Sequence, residues 1–329
     1  KLFKIKMPKI FNLFFFFKKI ERLLRLGVNA SILYEKKLFF SFNKFIYKYS
    51  FSTNQLSIEH KFINGRGPLN FSLVTGISGF KDSVYFGEYF SNNKKKEVSI
   101  YFRNTQKKIW EAIYTFKNRE INHIHSLVPD KIRNCVWILA GDFGEASSIW
   151  KAKNGFNEIE KVVSNHQKFR SCVAFPIKEG LLYATDTQFE QNSIRILAYN
   201  GILWKSKKIT SLNGPCIYGM ELKDFFVFST ATEPNAETSK SFLSLIDNKL
   251  ARGINQNKSE IIIMNKKSKV FKIIYSLDKD KLPYRLFQFG NIFFPKNSIN
   301  TNNLYAFSIS SKKHDLNLLK WNSYNIKNI

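Results

Sequence analysis

The sequence predicts an all-β fold, a β-propeller of about six four-stranded blades, and three observations lead there. First, apolar strands ending in small and acidic residues recur: Val84-Tyr-Phe-Gly-Glu88, Val136-Trp-Ile-Leu-Ala-Gly-Asp142, Leu181-Leu-Tyr-Ala-Thr-Asp186 and Phe225-Phe-Val-Phe-Ser-Thr230, the last followed by Glu233. Their starts lie 52, 45 and 44 residues apart, and Lys37-Leu-Phe-Phe-Ser-Phe42 begins 47 residues before Val84. Second, the strands alternate only weakly between apolar and polar, as they must where blades pack face to face. Third, helical periodicity is sustained only near Lys18–Leu26. Leu286–Phe294 and Leu304–Ile309 continue the strand pattern less regularly. Two separate β-sandwiches are the alternative fold.

Residues 1–30 read as a short basic, apolar extension with some helical character, and 31–329 as one propeller domain. The apolar run Ile10–Phe17 contains Asn12 and is closed by Lys18 and Lys19. No small-x-small cleavage site follows, so it does not read as a secretory signal. The N-terminal stretch suits a short amphipathic or membrane-surface helix, or else a poorly ordered extension or upstream sequence ahead of a true start at Met7. The chain starts without Met, as a fragment would.

The chain has 329 residues, 44% of them hydrophobic, which is enough for a sizeable core. No run of 18 apolar residues is present, so no transmembrane helix is expected. Lys+Arg number 52 against 25 Asp+Glu, for a net charge of +27. Residues 1–25 carry +7 of this, and the remainder is scattered rather than gathered on one segment. Lys, Asn, Ile and Phe are over-used and have A/T-rich codons, so base composition accounts for much of the charge. No specific nucleic-acid motif appears. Cys135, Cys172 and Cys216 form no Cys-x-x-Cys, which argues against a disulfide scaffold or a zinc ribbon. Free thiols suit a reducing interior and glycan processing suits export, so localisation stays open.

In one full unit, Ile121–Val128 is the innermost strand, Val136–Gly141 the second, Ser148–Lys153 the third and Phe156–Val163 the outermost. The innermost slot recurs at Arg66–Val74, Phe169–Pro176, Pro215–Met220 and Pro283–Phe287. Arg66, His123, His125, Arg170, Tyr218 and Tyr284 then stand near the starts of innermost strands. Glu88, Asp142 and Asp186 stand at the ends of second strands, with Glu233 close behind. Both positions open on one mouth of the axial channel, where groups from successive blades converge.

His123 and His125 share a strand face, a spacing that suits two ligands of one divalent metal. Asp142, Gln167 or Asp186 would complete the shell, and such a donor set fits Mn, Zn or Fe rather than Ca. The alternative is a pair of hydrogen-bonded channel histidines. His166 belongs either to this site or to a loop. Arg66 and Arg170 offer planar guanidinium groups for a carboxylate or sulfate. Glu88, Asp142, Glu145, Asp186 and Glu233 are the acid–base candidates. This inventory serves glycoside hydrolysis and elimination from a uronate equally. The absence of Gly-x-Ser-x-Gly, P-loop and Gly-x-Gly-x-x-Gly patterns argues against serine hydrolases, NTPases and dinucleotide enzymes.

The stretch Arg103-Asn-Thr-Gln-Lys-Lys-Ile-Trp110 resembles the Asp-box, Ser-x-Asp-x-Gly-x-x-Trp, of the sialidase-like propellers with bacterial neuraminidase repeats. Trp110 is kept, while Arg103, Thr105 and Lys107 replace the Ser, Asp and Gly. Lys151-Ala-Lys-Asn-Gly155 resembles a second worn copy. The combination of GEY, HIH, GD, Q-x-x-R and TD is similar to a bacterial group of uncharacterised sialidase-like proteins. The resemblance covers about residues 37–310. It implies substrate arginines at Arg66 and Arg170, with Arg285 as a third and Tyr284 as the nucleophilic Tyr.

The sequence therefore points to a monomeric propeller enzyme acting on an acidic glycan or oligosaccharide, as a glycoside hydrolase or a lyase. His123, His125 and Asp142 are the expected catalytic residues, and His123 and His125 the expected ligands of a divalent metal. Arg66, Glu88, Gln167, Arg170 and Asp186 are expected to bind the ligand. One alternative is a non-catalytic propeller that binds a glycan or protein. Another is a polyanion or membrane-surface binder acting through net charge.

Overall fold

The strand-and-turn repeat folds as antiparallel meanders around one axis. The computed structural model describes residues 17–235, 245–295 and 303–322, so most of the run Ile10–Phe17 lies outside the described residues. Blade 1 comprises β1 (Ala30–Tyr34), β2 (Lys37–Phe42), β3 (Phe45–Ser50) and β4 (Gln55–Lys61). Blade 2 comprises β5 (Gly67–Val74), β6 (Ser83–Tyr89), β7 (Val98–Asn104) and β8 (Ile109–Phe116). Blade 3 comprises β9 (His123–Asp130), β10 (Cys135–Gly141), β11 (Ser148–Lys153) and β12 (Glu158–Val163). Blade 4 comprises β13 (Ser171–Ile177), β14 (Gly180–Thr185), β15 (Ser193–Tyr199) and β16 (Trp204–Ser211). Blade 5 comprises β17 (Cys216–Glu221), β18 (Phe225–Thr230), β19 (Lys258–Asn265) and β20 (Phe271–Asp278). Blade 6 shows three strands among the described residues: β21 (Asn291–Phe293), β22 (Asn303–Ile309) and β23 (Asn317–Asn322). The first strands of successive blades neighbour one another, which makes them the innermost ring.

The weak polar alternation has a direct cause in blade packing. All seven residues of β10 are buried. Val136, Ile138 and Ala140 face blade 2, where Tyr85, Ile100 and Phe102 meet them. Cys135, Trp137 and Leu139 face blade 4, against Leu181 and Tyr183. One strand thus supplies two apolar interfaces, each worth about 25 cal/mol per Å² removed from water. The outer strand β12 is largely exposed and carries charge.

One expectation needs correction. The Pro283–Phe287 segment is a helical turn, α2 (Tyr284–Phe287), and the innermost strand of blade 6 is β21. Phe287 N–H donates to the Pro283 carbonyl at 2.8 Å, closing the turn after a proline that needs no donor of its own. Tyr284 is therefore buried away from a strand start, its hydroxyl donating to Asn257 Oδ1 at 2.7 Å. Arg285 donates to the Asn235 carbonyl. The Arg103–Trp110 segment does form the turn between third and fourth strands, but the Asp-box reading is not supported there. Arg103 makes a two-pronged pair with Glu59 of blade 1, at 2.8 and 3.0 Å. Asn104 Oδ1 closes the turn by accepting from the Gln106 and Lys107 amides.

The helix α1 (Lys18–Leu23) ties the start of the chain to its last blades. Its Arg22 is fully buried and donates to the Phe287 carbonyl, Ser310 Oγ, Asp315 and Asp280. Gln288 Nε2 returns a bond to the Arg22 carbonyl at 3.0 Å. Burial opposes ionisation of Asp280, but Arg22 and Lys279 hold its carboxyl below the usual range. Its contribution is thus complete above about pH 4 and is lost as pH falls further. Arg22→Ala leaves Asp315 and the Phe287 carbonyl without this cation, and Asp280 with Lys279 alone. Chemical denaturation of this variant should show a loss of about 3–5 kcal/mol. A loss below about 0.5 kcal/mol, the size of an ordinary surface change, would show that the ring closes without this contact.

Candidate functional site

The site lies where β9, the β10–β11 loop, the β12–β13 junction and the end of β14 meet at the axial mouth. Its placement depends on bulges that the strand pattern does not reveal. In β9, Ser126 pairs with Leu139 and Ile124 with Ala140, which leaves His125 as an extra residue. The same device leaves Cys172 extra in β13 and Ile217 extra in β17. Such bulges re-aim one side chain at a sheet end.

His123 and His125 are both buried, and their Nε2 atoms stand 3.0 Å apart. Asp142 Oδ1 lies 3.2 Å from the first and 3.3 Å from the second. Behind the rings, His123 Nδ1 is 2.9 Å from the Phe90 carbonyl and His125 Nδ1 is 3.0 Å from the Ser171 carbonyl. A carbonyl oxygen only accepts, so each Nδ1 carries the hydrogen and each neutral ring presents a bare Nε2. Three lone pairs then face one another. A single proton can bridge only one pair of them, whereas a cation satisfies all three.

The triangle's edges are the relevant test of fit. Ligand atoms about 2.1 Å from one ion lie roughly 3.0 Å apart at octahedral angles and 3.4 Å at tetrahedral angles. The observed edges of 3.0, 3.2 and 3.3 Å fall in that interval. Two imidazoles and a carboxylate on one face, each ring donating its other N–H to a backbone carbonyl, form a complete ligand set with its supporting shell. The residues present therefore fit a transition-metal dication.

Neighbouring blades hold Asp142 in place. Its amide donates to Asn122 Oδ1 at 3.0 Å, and its carbonyl accepts from Gln167 Nε2 at 2.8 Å. Asn122 in turn exchanges two bonds with Asn92, and Gln167 Oε1 accepts from Thr187 Oγ1. Gln167 thus acts here through the Asp142 backbone. Arg170 is buried, with Nη2 3.3 Å from Asp142 Oδ1 and Nε 3.5 Å from Asp186 Oδ2. Cys172 Sγ donates to Asp186 Oδ2 at 3.3 Å. Arg170 Nη1 and Asp186 Oδ1 make no hydrogen bond although both are buried. Burial opposes the charge on Asp142, but a proton shared with either imidazole, together with the Arg170 guanidinium, holds its carboxyl well below the usual range. Burial and the Asp186 charge keep the Cys172 thiol protonated.

Glu233 completes an acidic side of the site. Its Oε2 accepts from Gln188 Nε2 at 2.6 Å. Burial first, and then the Asp186 charge, raise its carboxyl above the usual range against the opposing Arg170.

Of the expected residues, His123, His125, Asp142, Gln167, Arg170 and Asp186 form one connected group. Arg66 and Glu88 do not join it. They pair with each other at 3.5 Å on blade 2, Glu88 accepting from the Ser99 amide and Arg66 lying over Phe90. Tyr218 is half-buried beside Phe293, and Glu145 stands exposed in a turn. His166 is an exposed rim residue whose Nδ1 accepts from the Lys168 amide. Sequence reasoning missed Tyr89, whose ring centroid lies 4.5 Å from His123. It missed Phe143, 5.4 Å from the Arg170 guanidinium, and the two Asn side chains. Only adjacency to Glu88 and Asp142 could have flagged the aromatics.

No protein-family model matches the chain, and no curated protein matches it in sequence. Solved structures do resemble it. An oligogalacturonate lyase from Vibrio parahaemolyticus has a TM-score of 0.54 at 10% identity, covering 88% of this chain and 74% of that one. The AfRom2 CNH domain has a TM-score of 0.50 at 9% identity, covering 90% and 81%. An oligogalacturonate lyase in complex with manganese has a TM-score of 0.47 at 9% identity, covering 82% and 74%. The fold is a six-bladed β-propeller. The first two likenesses support that architecture and do not single out the sialidase-like group.

Gly141 offers a test of the site's geometry. A Cβ there would stand 2.2 Å from His125 Cε1 and 2.5 Å from its Nε2. Gly141→Ala should keep the fold by circular dichroism, at a cost of about 1–3 kcal/mol for the overpacking. Calorimetric titration with Mn²⁺ should show affinity reduced at least about tenfold. Unchanged affinity would show that His125 is not a ligand.

Proposed function

We propose that this chain is a cation-dependent lyase that cleaves uronate-containing oligosaccharides by β-elimination. The observation that carries the reading is the convergence of His123 Nε2, His125 Nε2 and Asp142 Oδ1, with Arg170 against the same oxygen. Asp142 and Asp186 outweigh the Arg170 charge, so the pocket alone repels an anionic sugar. With Glu233 also ionised, a dication held by His123, His125 and Asp142 would cancel that excess, and cation and uronate would then favour each other's binding. Arg170 would share Asp142 Oδ1 with a cation held by His123, His125 and Asp142, and its guanidinium would then be available to a substrate carboxylate.

A cation bound there would polarise the uronate carboxylate and acidify the hydrogen on C5. Arg170 orients that carboxylate. Tyr89 and Phe143 border the opening and limit water near the reacting carbon. Glu233, as carboxylate, takes the C5 proton. The C5–H electron pair becomes the C4–C5 double bond, the C4–O bond breaks, and the departing oxygen takes a proton from solvent. Hydrolysis is less well served. It needs a protonated carboxyl beside a free carboxylate, a pair that only the raised Glu233 with Asp142 or Asp186 would supply, and the absorbance of the product separates the two reactions. The shared fold with an oligogalacturonate lyase is compatible with this reading, which rests on the site.

The purified protein with Mn²⁺ and trigalacturonate should generate ultraviolet absorbance from a conjugated unsaturated uronate. His123→Ala and Asp142→Asn should lose both the bound metal and this signal. New reducing ends without the absorbance would mean hydrolysis and reject elimination. Because Glu233 must be ionised and its carboxyl is raised, kcat/KM should climb as pH rises through a value above the usual carboxylate range. Glu233→Gln should lower kcat by about 10²–10⁴-fold and abolish that limb. A limb that survives this change would remove Glu233 from the role of base.

A further inference from the structure

The face opposite the mouth carries a feature that recurs from blade to blade. Antiparallel meanders send the first-to-second and third-to-fourth turns to this far side. Cross-blade contacts place these turns together: Asn134 accepts from the Ser78 amide, Arg133 donates to the Ile177 and Lys178 carbonyls, and Lys269 approaches Glu179 at 3.9 Å. On blades 2 to 5 a far-side turn holds an exposed aliphatic residue beside a basic one. They are Ile109 after Lys108, Ile132 between Lys131 and Arg133, Ile202 with Leu203 ahead of Lys205, and Val270 after Lys269. Ile132, Ile202 and Val270 are 61%, 83% and 62% exposed.

These positions are held rigidly rather than left loose. Asp130 Oδ1 accepts from the Ile132 and Arg133 amides, Asn200 Oδ1 from the Ile202 and Leu203 amides, and Asn265 Oδ1 from the Lys267 and Ser268 amides. Each Asx turn lifts its aliphatic side chain off the sheet instead of folding it into the core. Tyr199 is exposed beside Ile202, and Trp204, Lys205, Lys207 and Lys208 follow on the outermost strand of blade 4. Lys108, Lys131, Lys178, Lys223 and Lys267 form no ion pair among the described residues.

We propose that this far face docks on an anionic lipid bilayer, with Ile132, Ile202 and Val270 entering the headgroup–acyl boundary and the unpaired lysines meeting the lipid charge. Separate aliphatic tips around a rim suit a soft, laterally continuous apolar phase, since there is no single groove for a peptide. The lysines without an ion partner among these turns set the sign of that surface. A single-stranded nucleic acid would instead call for a row of aromatic stacking platforms, whereas the tips of blades 2, 3 and 5 are aliphatic and Tyr199 stands beside one tip alone. The mouth faces away from the bilayer in this pose, so docking leaves the pocket open.

Vesicle co-sedimentation of the full chain tests this. Binding is expected to phosphatidylcholine vesicles containing phosphatidylserine and not to phosphatidylcholine alone. The triple variant Ile132→Asp, Ile202→Asp, Val270→Asp should bind at least about tenfold more weakly with an unchanged melting temperature, since all three residues are exposed. Ile63→Asp, on the mouth side, should bind like the parent. Binding that survives the triple variant but vanishes in Lys131→Gln, Lys178→Gln, Lys267→Gln would reveal a charge-only contact and overturn the insertion. Equal loss in Ile63→Asp, or tighter capture by single-stranded RNA than by vesicles, would also overturn it.

Discussion

Two carbonyl oxygens decide the chemistry of this site. By facing the Nδ1 atoms of His123 and His125, the Phe90 and Ser171 carbonyls fix both tautomers and turn both Nε2 lone pairs toward Asp142. Without them either ring could turn or change tautomer, and the cluster would resolve into ordinary hydrogen bonds. With them, three acceptors stand within 3.3 Å of one another and need a positive charge between them. The raised Glu233 and the doubly faced Arg170 are arranged around the same small volume.

The scaffold achieves this with few special devices. Bulges in the first strands of successive blades push one extra side chain toward the axis, so His125 and Cys172 arrive from different blades at corresponding positions. Asn92, Asn122 and Gln167 then fix the loop that carries Asp142 from both sides. The Asn92–Asn122 and Gln167–Asp142 contacts cross between blades. The site therefore depends on ring closure, and Arg22 holds the beginning of the chain against the last blades. Stability and site geometry share a cause: each blade is incomplete until its neighbours cover both of its faces.

Much of this was legible in the sequence because propeller repeats impose spacing. The strand ends at Asp142 and Asp186 and the His123–His125 pair recur in register, and register alone places them at one mouth. What was not legible depended on contacts across blades. Arg66 and Glu88 occupy the right slots, yet they pair with each other on blade 2. Tyr284 and Arg285 follow a proline that starts a helical turn, and the apolar pattern there resembles a strand over so few residues. The Asp-box likeness rested on Trp110, which the structure uses for packing between Phe39, Phe71 and Phe86. Bulges leave almost no local signature, so the sequence placed His125 on the correct side for an incomplete reason.

Anomalous diffraction from crystals grown with Mn²⁺, collected on both sides of the manganese absorption edge, tests the central claim most directly. A single strong peak about 2.0–2.2 Å from His123 Nε2, His125 Nε2 and Asp142 Oδ1 is the result this account predicts. Well-ordered imidazoles at their present separation with no anomalous signal between them would contradict it, and would assign the cluster to a shared proton instead.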